Sequence, residues 1–340
     1  MVVNQKKKFS VILAVNCLIL ILMLTIDLLQ AAAEENDPIS PWAYQTMLGC
    51  GIDVDWAKTA QGIRLYSSQT PYDFARAGIN HVRIRVKEDA DEKLLEHLER
   101  IVQDCLDNHL IPIIAYQADA FKNDPSDENL VQVTAWWRRV AERFRAASFF
   151  LSFDVMIECT DALNKQPDRL NVMYESVVAA IRETNPERIV MISPRMRSDP
   201  SYLSEMSIPS AHNGYLMAEW HFYAAGPSKN NPRKLWTTGT EQEKQLIQEK
   251  IQLAIQWQES TGIPTWVGAW MPGNYNDGNE YSVEEQCAFA SFVSSALRDA
   301  GIPFAINSDT KFYDRENNTW LSERQPVFQV IFGNRVLDSE

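Results

Sequence analysis

Several apolar runs in this 340-residue sequence stop at a titratable side chain. Glu158 ends the run from Phe149 to Ile157, which only Ser152 and Asp154 interrupt. A carboxylate at the end of a strand buried on both faces is a candidate for general acid–base work, and equally a plain cap on the next turn. In YLMAEWHFY (215–223), Glu219, His221 and Tyr223 recur at every second residue, so an extended chain turns all three the same way. An imidazole and a phenol beside a carboxylate can donate, accept and orient protons. Arg83 and Arg85 in HVRIRV, and Arg195 and Arg197 in PRMR, add guanidinium forks that suit a planar anion. Gln117, Asp119, Trp270, Asn307, Asp309 and Lys311 end or follow further apolar runs. Glu158, His221 and Tyr223 are the catalytic candidates. Arg83, Gln117, Asp119, Arg195, Arg197, Glu219, Trp270, Asn307 and Lys311 are the candidates for touching a substrate.

Such residues converge only if the strands that carry them end on one rim. Apolar runs at 48–54, 81–86, 110–116, 149–157, 188–192, 215–223, 264–270 and 302–306 read as strands. Helical periodicity separates them at 72–77, 91–108, 128–146, 168–183, 241–260 and 283–300, with a last short helix at 325–332. Eight strands alternating with helices predict an α/β fold of the (β/α)8 TIM barrel type, whose active sites lie at the carboxyl ends of the strands. An open nucleotide-binding sheet would carry a glycine-rich phosphate loop after its first strand, and this sequence has none there. Loops 193–213 and 224–240 are rich in Pro, Ser, Asn and Gly and are expected to shape what enters the barrel mouth.

A net charge of −13 argues against nucleic acid and anionic membrane surfaces as partners. Ten Trp and eleven Tyr suit a protein that stacks rings on a neutral ligand such as sugar, although most are expected in the core. Lys6–Lys8, the apolar run Phe9–Ile26 and Ala31–Ala33 read as a signal segment over residues 1–33, long enough to serve also as an uncleaved anchor. Residues 34–340 are then expected to form one domain, secreted or periplasmic, monomeric, and without a stable membrane partner once the signal is removed. Outside that segment Cys50, Cys105, Cys159 and Cys287 are too widely spaced for a zinc pattern, and any disulfide pairing stays open. No metal and no cofactor is expected.

These stretches together resemble the family 5 glycoside hydrolases, the cellulase-like enzymes of the large (β/α)8 clan. GINHVRIRV (78–86) is similar to the family's second strand and would make Arg83 its arginine. FDVMIEC (153–159) resembles a fourth strand that ends in Asn-Glu-Pro. That makes Glu158 the acid/base, with Ile157 in place of Asn and Cys159 in place of Pro. WHFY (220–223) matches the family's His-x-Tyr motif. VGAW (267–270) aligns with Val-Gly-Glu-Phe, whose Glu is the nucleophile; here that position is Ala269. The resemblance covers most of the chain after the signal and implies an exported protein whose partner is a polysaccharide or oligosaccharide.

A retaining glycosidase needs two carboxyl groups about 5 to 5.5 Å apart, and an alanine methyl cannot attack an anomeric carbon. Cleavage of glycosidic bonds with Glu158 as acid/base is the leading expectation, with Glu219, Asp119 or Asp309 as a relocated carboxylate. A second is β-elimination on a uronic-acid glycan. There Arg83, Arg85, Arg195, Arg197 and Lys311 would neutralise the uronate, Tyr223 or His221 would be the base, and Glu158 or Tyr223 the acid. A third is glycan binding without chemistry. Glu219 or Asp119 placed opposite Glu158 would favour hydrolysis; Arg195 and Arg197 clustered with Arg83 would favour elimination.

Overall fold

The computed structural model describes residues 37–234, 236–273 and 281–333. The expected signal segment lies outside the described residues. From Ile39 onward the chain is one compact unit. Eight parallel strands pair in chain order and close, β8 onto β1. They are β1 (Cys50–Ala57), β2 (His81–Val86), β3 (Ile111–Tyr116), β4 (Ser152–Asp154), β5 (Val190–Ile192), β6 (Leu216–His221), β7 (Thr265–Trp270) and β8 (Phe304–Ile306). This is the expected (β/α)8 barrel.

Helices ring it in the expected positions, and three further ones were not foreseen. In chain order they are α1 (Pro41–Leu48), α2 (Ala60–Arg64), α3 (Gln69–Arg76), α4 (Glu92–Asp107), α5 (Asp119–Asn123), α6 (Asp127–Arg143), α7 (Pro167–Arg182), α8 (Glu241–Thr261), α9 (Val283–Asp299) and α10 (Gln325–Phe332). The unforeseen three are α1, before the first strand, α2, a short helix after β1, and α5, a single turn after β3. Helix α1 has clear start signals, because the Ser40 side chain caps its amino end and Pro41 takes a first-turn position where a missing N–H costs nothing.

The apolar core splits into two clusters. The larger lies between the outer strand faces and the helices. The smaller fills the lower barrel with Ile111, Ile113, Ile189, Met191, Met217, Trp266 and Ala305, and Tyr44 and Leu48 of α1 plug it. Burying a side chain such as Leu48 stabilises the plug by about 1.5–3 kcal/mol. The Tyr44 hydroxyl donates to the Phe150 carbonyl at 2.7 Å, and the Gln45 amide donates to the Thr265 carbonyl at 2.7 Å. His81 sits in the same layer with Nδ1 2.6 Å from the Leu48 carbonyl. Burial pushes this imidazole down to about 4, so it stays neutral. With its floor sealed, the barrel is left with one polar end, the carboxyl ends of its strands.

Candidate active site

Above the apolar floor the barrel is charged. Strand β1 reads Asp53-Val54-Asp55 and β2 reads Arg83-Ile84-Arg85, in register with Asp53 opposite Arg83. Alternation turns both acids and both arginines inward. Arg83 is fully buried. Its Nε donates to Asp154 Oδ2 at 2.7 Å, and its Nη2 lies 2.5 Å from the same oxygen and 3.2 Å from Glu219 Oε1. Asp53 Oδ2 is 3.7 Å from Nη1. Three carboxylates thus surround one guanidinium. One layer up, Arg85 pairs with Asp55 at 2.7 Å and donates to Asn307 Oδ1 at 2.9 Å.

Burial disfavours every charge in this layer. It raises Asp154 to about 6 against the pull of Arg83, and it raises Asp53 as well. Burial acts against Arg83 too, but Asp154, Glu219 and Asp53 outweigh it and hold the guanidinium charged. Gly268 on β7 completes the packing, because a Cβ there would overlap the Glu219 carboxylate.

His221 carries this layer up to the rim. Its Nε2 is ion-paired to Glu219 Oε1, and its Nδ1 lies 3.0 Å from Glu158 Oε1. Burial alone would lower it, as it lowers His81. The charge of Glu219 and the hydrogen bonds to Glu158 and Glu219 instead raise it to about 9, so it is an imidazolium at neutral pH.

Glu158 itself follows a strand that is shorter than its apolar run. Strand β4 ends at Asp154, but Val155 N still bonds the Met191 carbonyl at 3.0 Å and Ile157 N the Tyr116 carbonyl at 2.8 Å. The chain then turns left-handed at Glu158, with φ 52°. The carboxylate reaches the mouth with 19% of its side chain exposed, and its second oxygen lies 3.0 Å from Arg197 Nη1. Burial raises it, but the His221 hydrogen bond and charge, followed by the charges of Arg197 and Arg83, outweigh that and bring it down to about 2.

The remaining candidates distribute around this centre. Lys122 on α5 gathers two of them, bonding Gln117 Oε1 at 3.2 Å and Asp119 Oδ1 at 3.2 Å, and also bonds the Ile157 carbonyl at 3.0 Å. Asp119 also pairs with Lys87 at 3.1 Å. Asn307 donates to the Ala224 carbonyl at 3.1 Å, and Lys311 lies in the short turn after β8. Asp309 is fully buried beneath the Trp56 indole, which donates to it at 3.1 Å.

Several expectations need correction. Arg83 and Glu219 are fully buried, so neither can touch a substrate; they hold His221 and Asp154 from below. The arginines named for a uronate do not converge. Arg195 forks onto Glu205 at 2.5 and 2.9 Å and stacks on Tyr202, while Arg197 goes to Glu158. Tyr223 does not share the His221 face, because β6 stops at His221 and the backbone at Tyr223 is left-handed with φ 52°. Its ring packs on Phe222 and Phe289 in the outer core. Trp270 is likewise an outer-core residue, fully buried between Phe289 and Phe304. The register of β7 shifts near Gly268, which pairs Ala269, not Gly268, with His221 and turns Trp270 outward.

Asp53 and Asp154, absent from the sequence candidates, belong to the site as partners of Arg83. Both were visible as acids inside apolar strands, which burial makes costly unless a cation faces them. Asn164, whose side chain accepts from Met196 N at 2.7 Å and so braces the Arg197 turn, left no signal in the sequence.

Comparison with known proteins agrees with the barrel fold. Endoglucanase H of Acetivibrio thermocellus is 24% identical over 265 residues, which are 74% of this chain and 29% of that protein. The chain thus spans less than a third of that relative. Among solved structures, a hyperthermophilic endo-β-1,4-glucanase in complex with substrate superposes with a TM-score of 0.74 at 22% identity, covering 87% of this chain and all of that one. Cel5A of Thermotoga maritima in complex with mannotriose gives 0.73 at 18% identity, over 86% and 99%. The cellulose synthase subunit Z of Clostridioides difficile gives 0.71 at 18%, over 84% and 99%. The cellulase (glycosyl hydrolase family 5) model matches residues 46–307, from the plug helix to the end of β8, and this chain belongs to that family.

Proposed function

We propose that this chain seats a polysaccharide strand across the mouth of its barrel and cleaves glycosidic bonds there by single displacement, with Glu158 as proton donor and water as nucleophile. The observation that carries the reading is Glu158 itself, a partly exposed carboxylate at the rim, fixed by His221 on the buried Glu219–Arg83 layer. A glucan fits the relatives, whose names are those of endoglucanases.

Ala269 offers no atom that can form a glycosyl ester. Bond breaking therefore proceeds without a covalent intermediate. Glu158, ionised in the empty site, takes a proton from solvent once the glycan is bound and gives it to the departing oxygen. Water attacks the anomeric carbon from the opposite face, releases its own proton to a carboxylate or to solvent, and inverts the configuration. Of the carboxylates considered as partners, Glu219 and Asp309 are sealed from any sugar. Asp119 remains exposed. Burial raises it, but Lys122 and Lys87 outweigh that and keep it ionised and able to take a proton from water. Held down by its two lysines, Asp119 is a weak base, and the site forgoes part of the about 10²–10⁴-fold in rate that a matched base supplies.

Binding without cleavage is the second reading, favoured by Ala269 and by the ion pair that occupies Glu158. We further propose export, on the strength of Lys6–Lys8 and the apolar run that follows, with the chain from residue 34 as one domain.

The test is proton NMR of products formed by the purified chain from a soluble β-glucan. The α-anomer appearing first supports single displacement. The β-anomer first contradicts it, and bound glucan with no product favours the second reading.

A further inference from the structure

The loop after β5 does something unusual with its backbone. Met196 (φ 59°, ψ 53°), Arg197 (φ 58°, ψ 44°) and Ser198 (φ 58°) are three consecutive non-glycine residues in the left-handed region. A side chain is strained there, and such strain persists only where the surroundings over-determine it. Here they do. Arg197 N donates to the Cys159 carbonyl at 2.8 Å, one residue past Glu158, and Met196 N donates to the Asn164 side chain at 2.7 Å. Arg195 is anchored by its fork onto Glu205. The turn is bolted to the segment that carries Glu158, and its product is one guanidinium placed over that carboxylate.

Charged groups face Glu158 from four elements: His221 from β6, Arg83 from β2, Lys122 from α5 and Arg197 from the turn. His221 and Arg83 are buried and held by Glu219 and Asp154, and Lys122 is buried on Asp119 and Gln117. They cannot leave. Arg197 is different, since 68% of its side chain is exposed and it meets Glu158 through a single Nη1 contact of 3.0 Å. That contact occupies Oε2, the oxygen not bonded to His221. A sugar oxygen that is to receive a proton from Glu158 must stand at Oε2.

We propose that Arg197 is a positioning residue that, together with His221, holds Glu158 as an anion in the empty site and yields its place at Oε2 to the glycan, so that ligand binding makes the acid easier to protonate. This rests on the reading of Glu158 as the cleft's proton donor. The loss of a carboxylate at position 269 acts in the same direction as Arg197, since a neighbouring anion would have favoured the protonated form. Both features leave the empty site with an ionised Glu158, and one of them is reversible by binding.

The experiment is a carbon-13 NMR titration of the Glu158 carboxyl in the full chain, assigned with Glu158→Gln, for wild type, Arg197→Gln and Arg197→Lys. Arg197→Gln is expected to move the Glu158 midpoint upward by about one pH unit or more, with Arg197→Lys close to wild type. A soluble glucan oligosaccharide added to wild type should move it upward likewise and leave Arg197→Gln nearly unmoved. An unchanged midpoint in Arg197→Gln overturns the proposal, as does a ligand shift of equal size in both proteins. The titration reads Glu158 whether or not bonds are cleaved. A shifting midpoint with no product therefore defeats the cleavage reading and leaves the role of Arg197 standing.

Discussion

Arg83→Met removes the guanidinium that touches Asp154, Glu219 and Asp53 together, inside a buried layer. Breaking a buried ion pair by deleting one partner costs about 3–5 kcal/mol, and here the deleted partner serves three acids. The orphaned carboxylates can respond only by binding protons. Asp154, already raised to about 6 with Arg83 present, takes the first. The sign follows from linkage: a carboxyl raised in the folded state binds a proton that the unfolded chain, with its ordinary value near 4, has released. Each pH unit above that ordinary value then adds about 1.4 kcal/mol of destabilisation per proton. The variant should therefore lose about 3–5 kcal/mol at pH 7.5 and recover up to about 2.8 kcal/mol of that loss on going to pH 5.5. Urea unfolding followed by tryptophan fluorescence at the two pH values measures both. A loss below about 1 kcal/mol, or one equal at both values, would refute the picture of a charge layer neutralised by Arg83.

Three other outcomes follow from the same geometry. His221, raised to about 9, contributes stability that is fully present below its ordinary value near 6.5 and is lost as pH rises through 9, roughly 3 kcal/mol in all. The urea midpoint should fall across that window in wild type and stay level in His221→Gln, and a flat wild-type profile would show His221 to be neutral. Gly268→Ala puts a methyl into the Glu219 carboxylate, which Arg83 and His221 hold from moving, and should cost about 1–3 kcal/mol in the same unfolding assay. An unchanged stability would mean that Glu219 can move aside. Ala269→Glu should not by itself create a retaining cellulase, since Ile157, Cys159 and the Arg197 contact on Glu158 remain. Fast cellulose hydrolysis with retention by that single variant would show that the surrounding site is still intact.

The barrel was legible because its strands are apolar runs bounded by turns, and β2 and α10 have the bounds read from the sequence. What failed was parity. Period-two alternation was carried past His221 to Tyr223, but the strand had ended and a left-handed residue reversed the side chain. Trp270 failed for a related reason: the register shift beside Gly268 changes which residues face inward, and that glycine answers to a carboxylate on the neighbouring strand. Strand β1 runs through Asp55 to Ala57, beyond the expected end at Val54. Acids within a strand make sense only once Arg83 and Arg85 are known to stand opposite, and pairing is a non-local fact. Glu158 and His221 were legible as a pair of strand ends, whereas the turn that brings Arg197 to them depends on Asn164, thirty-two residues away.

The central claim is that Glu158 drives glycosidic cleavage in a cleft with no carboxylate at position 269. Its most direct test incubates wild type and Glu158→Gln with a panel of neutral and uronic-acid polysaccharides, reading reducing ends and absorbance near about 235 nm together, since elimination creates a conjugated uronate and hydrolysis does not. The account predicts slow release of reducing ends from a neutral glucan by wild type, no change in absorbance, and no release by Glu158→Gln. Equal turnover by Glu158→Gln, or absorbance rising with the reducing ends on a uronic-acid polymer, would contradict it.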